Sequence, residues 1–169
     1  MPSKRIGDLH LDGTDLRILA ELVENSKSSY VEIGRRLGLH PNVVAYRVNR
    51  LEESGIITEY TAHVDYSKLG LSEQVFVAAN FPNSSPREDM LKQISDIPGT
   101  MSIVSSLGTP EGLVFIVAKN KEDVNSVLSK LRSLNLDIEF TSSVIKTYDE
   151  GRLGTFLRTM ATAIPAEGS

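Results

Sequence analysis

Cysteine is missing from this 169-residue chain, which removes disulfides, cysteine nucleophiles and thiolate metal sites together. Its three histidines, His10, His40 and His63, are scattered with no metal-ligand spacing among them. No phosphate loop, nucleotide fingerprint or nucleophile elbow occurs, so the sequence supplies no catalytic residue, metal site or cofactor motif, and an enzyme is not expected. No apolar run is long enough to span a bilayer and the N-terminus lacks a signal-peptide core, so the expected location is the cytoplasm, away from membranes. A basic excess is also lacking: the formal charge is -4. Any contact with nucleic acid must therefore come from a local basic patch in a defined geometry rather than from non-specific coating. What remains, 40% hydrophobic and 24% charged residues, is the make-up of an ordinary folded protein of one or two small domains.

One segment concentrates the chemistry. Ser29 and Glu32 have the S-x-x-E spacing of a capping box, so a helix should begin at Tyr30, carry Val31, Ile33 and Leu37 inward, and end at Gly38. Leu39 plugs the turn and Pro41 opens a second helix whose Val44, Val48 and Leu51 recur at i, i+4 and i+7. Gly55 closes it. The helical period then puts Asn42, Tyr46 and Asn49 opposite the core stripe, with Val43 and Arg50 on the flank.

Two short helices about a tight turn are the layout of a helix-turn-helix. Asn pairs bidentately with adenine and Val touches a thymine methyl, so Asn42, Val43 and Tyr46 are the expected base readers. Arg47 falls nearer the core edge; its stem should lie along the domain with the guanidinium reaching a backbone phosphate. Arg35, Arg36 and Arg50 are further phosphate candidates, and Asn49 completes the face. An ordinary solvated helix face would look similar. What favours DNA is that no Asp or Glu occurs from Ile33 through Leu51 in a chain that is otherwise net negative.

The runs LDGTDLRILAELVEN, SYVEIGRRLGL and VVAYRVNRLEESGIITEYTAHVDYSKLG resemble the Lrp/AsnC family, the feast/famine transcription regulators of bacteria and archaea. The resemblance extends from Leu11 to about Lys146, and R-V-x-R-L-E-x-x-G-I-I is its most specific part. One departure is His40, where the family usually has Ser to cap the recognition helix, and His is the poorer cap.

Elsewhere in the first half, Asp12 should cap a helix carrying Leu16, Leu19, Ala20 and Val23, and residues 60–65 alternate as a strand does. The second half reads strand (73–81), helix with Ser85 as cap and Pro86 at its first position, strand (100–107), turn, strand (113–119), helix capped by Asn120 and carrying Val124, Val127, Leu128, Leu131 and Leu134, then strand (137–148). This β-α-β-β-α-β order is the ferredoxin-like plan, two helices on one face of a four-stranded antiparallel sheet. Val75, Phe76, Val77, Val114, Phe115, Ile116 and Val117 leave apolar side chains on both faces, so a partner subunit is the simplest cover for the open one.

The expected class is therefore α+β, an N-terminal winged-type helix-turn-helix followed by a C-terminal ferredoxin-like βαββαβ sensor. The expected divisions are 1–59 for DNA binding, 60–72 as linker strand and turn, 73–148 for effector binding and oligomerisation, and 149–169 as a C-terminal helix and tail. In that tail Leu153, Phe156, Leu157, Met160, Ala161 and Ile164 form an apolar stripe stopped by Pro165. It needs burial, and a neighbouring subunit is favoured over the chain's own domain.

What the resemblance implies is a homodimer or a higher oligomer such as an octamer, bound to double-stranded DNA at a pseudo-palindromic site and responsive to a small amino acid. The family binds such effectors at a G-x-x-D motif between the second and third strands, which here corresponds to Gly108, Thr109, Pro110 and Glu111, with Ser143 where the family often has Thr. Glu replaces Asp and Pro stands at an often aromatic position, so the family's leucine or asparagine is not carried over as the ligand. A glycine-rich turn offers N–H groups to a carboxylate, and Glu111 offers an acceptor to an ammonium. A plain hairpin turn with a solvated Glu is the other reading of those residues. The alternative at the level of function is an architectural protein that wraps DNA without effector control.

Overall fold

A computed structural model describes residues 11–83, 86–146 and 152–163. The leader with His10, the Ser85 cap, the end of the last expected strand, and Ile164 and Pro165 lie outside the described residues. The chain divides into two units, residues 1–62 with 148–169, and residues 63–147.

In the first unit, α1 (Gly13–Glu24) starts at Asp12, whose carboxylate accepts from the amides of Thr14 and Asp15 while Asp15 returns a bond to the Asp12 amide. α2 (Tyr30–Leu37) starts at Ser29 in the capping box read from the sequence: Ser29 N–H donates to Glu32 Oε2 at 2.8 Å, and Glu32 N–H to Ser29 Oγ at 3.2 Å. α3 spans Pro41–Glu53. One core joins Ile18, Leu22, Ile33, Val44 and Val48; a second joins Leu16, Leu19 and Leu51 to Ala161 of α6 (Arg152–Ala163).

The packing corrects three expectations. Val31 is 63% exposed instead of inward, because it lies about 200° round the helix from Ile33. Val23 is exposed too, and α1 instead buries Leu16, Ile18, Leu19, Ala20 and Leu22. It is apolar on two sides because α2 and α3 cover one and α6 the other. And α6 lies on α1 of its own chain, although a neighbouring subunit was favoured from its stripe.

Of the described residues in the expected α6 stripe, only Ala161 and the half-buried Leu157 pack on the second core. Gly154 and Ala161 are buried while Leu153, Phe156 and Met160 are exposed. Small residues make the seam. A Cβ on Gly13 would stand 2.9 Å from the Ala161 carbonyl oxygen, and one on Gly154 would stand 3.1 Å from the Glu24 side chain and 3.5 Å from the Ala20 carbonyl oxygen. The helices are antiparallel, with backbones closer than larger side chains would permit. Gly154, which costs an isolated helix up to about 1 kcal/mol relative to Ala, is thus where the close approach is made.

In the second unit, β1 (Glu73–Asn80), α4 (Arg87–Ser95), β2 (Thr100–Ser105), β3 (Gly112–Ala118), α5 (Lys121–Ser133) and β4 (Asp137–Ser143) form an antiparallel sheet of order β2-β3-β1-β4. This is the ferredoxin-like plan. Val75, Val77, Val114 and Ile116 face Met90 and Ile94 of α4 and Val124, Val127, Leu128 and Leu131 of α5. Asn120 caps α5 through the Asp123 amide at 2.9 Å. On the other face Phe76 and Phe115 stack with centroids 4.9 Å apart, and Phe76, Val104 and Phe140 stay exposed. Residues 60–65 are not a strand, since no neighbouring segment of the described chain offers them a ladder.

Candidate nucleic-acid interface and sensor loop

The turn between α2 and α3 is closed by glycine chemistry. Gly38 takes a left-handed φ of 69°, and Leu39 N–H donates back to the Gly34 carbonyl at 2.8 Å. A Cβ on Gly34 would stand 2.5 Å from the Leu39 carbonyl oxygen, so the turn can be this tight only with glycine there. His40 caps α3, its Nδ1 accepting from the Asn42 amide at 3.2 Å.

With Val44, Val48 and Leu51 buried, α3 presents Asn42, Val43, Tyr46 and Asn49 outward, Tyr46 at 67% exposure. This is the face expected from the sequence, carrying a hydrogen-bonding amide near its N-terminal end.

The arginines divide differently from the expectation. Arg47 Nη1 donates to Asp12 Oδ2 at 2.7 Å and Asp15 Oδ1 at 2.8 Å, and Arg50 Nη2 pairs with Asp15 Oδ2. Both guanidinium groups are turned inward onto α1, so neither reaches out as expected. Burial works against the Arg47 charge, but its hydrogen bonds to Asp12 and Asp15 outweigh that and hold its pKa above the usual value. Burial likewise raises the Asp12 carboxyl, yet the hydrogen bond from Arg47, the bonds from the Asp15 and Thr14 amides, and the Arg47 charge bring it below the usual range. Arg36 donates to Glu21 at 2.8 Å but remains exposed, and Arg35 is exposed with no ion pair among the described residues. Of the four candidate arginines, the outward ones are therefore Arg35 and Arg36 on α2.

Gly108, Thr109, Pro110 and Glu111 form the β2–β3 turn as expected, but Glu111 is not a solvated acceptor. Its Oε2 accepts from the Phe81 amide at 2.9 Å and Oε1 from Arg87 Nη2 at 2.8 Å, while its own amide donates to Asn80 Oδ1 at 3.1 Å. Arg87 in turn lies over the Phe81 ring, 5.1 Å from its centroid. Ser143 is not brought to this turn. It pairs with Val75, five residues along β1 from Asn80, which is about 16 Å of strand.

Sequence reasoning found the outward face of α3 but did not single out Arg87, Glu21 and Arg158. Each acts through a partner distant in sequence, which no local spacing announces. Among the described residues no His, Cys, Asp and Glu cluster could hold a metal, and no helix is long and apolar enough to cross a membrane.

A winged helix-turn-helix DNA-binding family profile matches residues 11–58. The chain is 32% identical over 136 residues to the HTH-type transcriptional regulator Rv2324 of Mycobacterium tuberculosis, covering 80% of this chain and 90% of that one. It is 34% identical over 122 residues to the HTH-type transcriptional regulator LrpC of Bacillus subtilis, with 72% and 84% covered. The solved LrpC structure superposes with a TM-score of 0.75 at 31% identity, covering 83% of this chain and 99% of LrpC. A transcriptional regulator of Neisseria meningitidis, NMB0573, solved as its L-Met complex, also gives 0.75 at 26% identity, with 83% and 93% covered. These relatives are transcriptional regulators. Matching a winged helix-turn-helix profile and resembling LrpC in both sequence and fold, this chain belongs to the Lrp/AsnC family of transcriptional regulators.

Proposed function

We propose that this regulator binds a pseudo-palindromic double-stranded DNA site in the cytoplasm as a homodimer or larger oligomer, and that a small amino acid modulates the binding. The observation that carries the DNA part is the outward face of α3, where Asn42, Val43, Tyr46 and Asn49 stand clear of the core with no carboxylate among them. Asn42 is the expected adenine reader, Val43 a methyl contact, and Tyr46 and Asn49 the continuation along the groove. Arg35 and Arg36 supply phosphate contacts, and Arg47 and Arg50 support the helix from behind. Two such helices related by a two-fold axis would enter major grooves about one helical turn, or a multiple of it, apart. The exposed apolar sheet face of Phe76, Val104 and Phe140 supports assembly through the second unit.

Support for the effector comes from the bound L-Met of NMB0573 and from the match of residues 108–111 to the family's motif. For an effector ammonium to use Glu111 it has to displace Arg87 from Oε1. That commitment of Glu111 is also the one observation favouring the second reading, a DNA-wrapping protein without effector control. Selection of bound sequences from a random pool, followed by titration of amino acids against the selected fragment, tests both. Enrichment of a two-fold site supports the first part, and a shift in affinity with one amino acid supports the second. No enriched sequence would overturn specific recognition.

A further inference from the structure

The carboxylate of Glu21 lies between two guanidinium groups drawn from opposite parts of the chain. Its Oε2 accepts from Arg36 Nη1 on α2 at 2.8 Å, and its Oε1 from Arg158 Nη2 on α6 at 3.1 Å. Arg158 also holds Glu24 with both terminal nitrogens, Nη2 to Oε2 at 2.8 Å and Nη1 to Oε1. The Glu21 side chain is 10% exposed, so its orientation is set by these partners, whereas that of Arg36 is 46% exposed. Arg36 uses one N–H on Glu21. Its remaining donors make no hydrogen bond among the described residues, and the nearly half-exposed guanidinium leaves them open to solvent.

Charge makes the arrangement more than a packing contact. Glu21, Glu24 and Glu32 all act on the Arg36 guanidinium. With Arg158 docked, the group formed by Glu21, Glu24, Arg36 and Arg158 is neutral; without it the same group is net negative. A phosphate would then face two carboxylates for one arginine, and Arg36 would be drawn towards them. Both charged side chains of α6, Arg152 and Arg158, are cationic, so the helix contributes positive charge to an acidic end of α1.

We propose that Arg158 is a positioning residue for DNA binding: it fixes Glu21 and neutralises Glu24 so that Arg36 is presented to a backbone phosphate. The inference rests on the DNA-binding reading above. It assigns the C-terminal helix a part in recognition although that helix lies outside the helix-turn-helix segment.

The test is a double-mutant cycle on the full chain, reading affinity for a selected DNA fragment by fluorescence anisotropy across a salt series. Arg36→Ala should weaken binding about three- to tenfold and lower the salt slope by about one. Arg158→Met, which keeps the stem and removes the charge, should produce a comparable loss in affinity and slope. The double variant should be no weaker than either single one, and Glu24→Gln should restore part of the affinity lost in Arg158→Met. If Arg158→Met is unfolded at the assay temperature, Arg158→Gln, which keeps a hydrogen-bond donor and removes the charge, paired with Arg36→Ala reads the same coupling. Additive losses, or an unchanged salt slope in the Arg158 variant, would overturn the inference, since a merely structural helix lowers the melting temperature without coupling to Arg36. An Arg36→Ala protein that binds as the wild type does would overturn it as well. Failure of the wild-type protein to bind any DNA in a salt-dependent way would instead refute the DNA-binding reading itself.

Discussion

Arg47 Nη1 stands 2.8 Å from Oδ1 of Asp15, a carboxylate with no exposed surface, and so the arginine of the family signature braces the recognition helix against α1. Arg50 closes on the other oxygen of the same carboxylate. A buried Asp flanked by two arginines is well paired, and removing either partner leaves charge uncompensated.

Arg47→Ala should therefore act first on stability. The expected loss is about 1 to 3 kcal/mol, below that of a buried pair broken outright because Arg50 stays on Asp15. Chemical denaturation measures it. The salt slope of DNA binding by the folded variant should match that of the wild type; a slope lower by about one would return Arg47 to the phosphate contacts.

Acid tolerance follows from the same pair. The Asp12 carboxyl in the folded protein titrates below its ordinary value of 3.8, so its contribution to stability is full above that value and is lost as the pH falls through the folded one. In Arg47→Ala the carboxyl should move back up, and the midpoint of acid unfolding followed by circular dichroism should shift to higher pH.

Asn42→Ala removes an exposed amide and leaves the core untouched. It should cost about 1 to 3 kcal/mol at the preferred site and relax preference at one position in each half-site. Unchanged sequence preference after reselection would take Asn42 off the list of base readers.

Glu111→Ala should free Arg87 and the Phe81 amide, loosening the β2–β3 turn. If Glu111 also receives an effector, calorimetry should show amino-acid binding lost in Glu111→Ala. Arg87→Ala, which leaves the acceptor in place, should retain or strengthen it. Equal loss in both variants would make the pair purely a structural tie.

Truncation after Gly151 removes α6 and uncovers Leu16 and Leu19. Light scattering should show an unchanged oligomer, because α6 is docked on its own chain, while the melting temperature of the DNA-binding unit falls. Dissociation to a smaller species would restore the subunit-interface reading, with the exposed Leu153, Phe156 and Met160 as its contacts.

The sequence by itself determined the local features. Capping at Asp12, Ser29 and Asn120, the glycine turn at 38, and the buried stripe of Val44, Val48 and Leu51 all depend on residues within about two turns of one another, so spacing carries them. The outward face of α3 follows as the complement of that stripe. Only the tertiary structure decided where the charges go. Arg47 and Asp15 are 32 residues apart, and Arg158 and Glu21 are 137 apart. Their pairing is set by how helices pack and leaves no period to read. The seam between α1 and α6 was only partly legible for a related reason: the stripe named Leu157 and Ala161, which pack, but Gly13, Ala20 and Gly154 contribute by being small, and Leu153, Phe156 and Met160 of the stripe stay exposed. Residues 60–65 alternate as a strand would, but a strand also requires a neighbour, and that depends on the fold rather than on the segment.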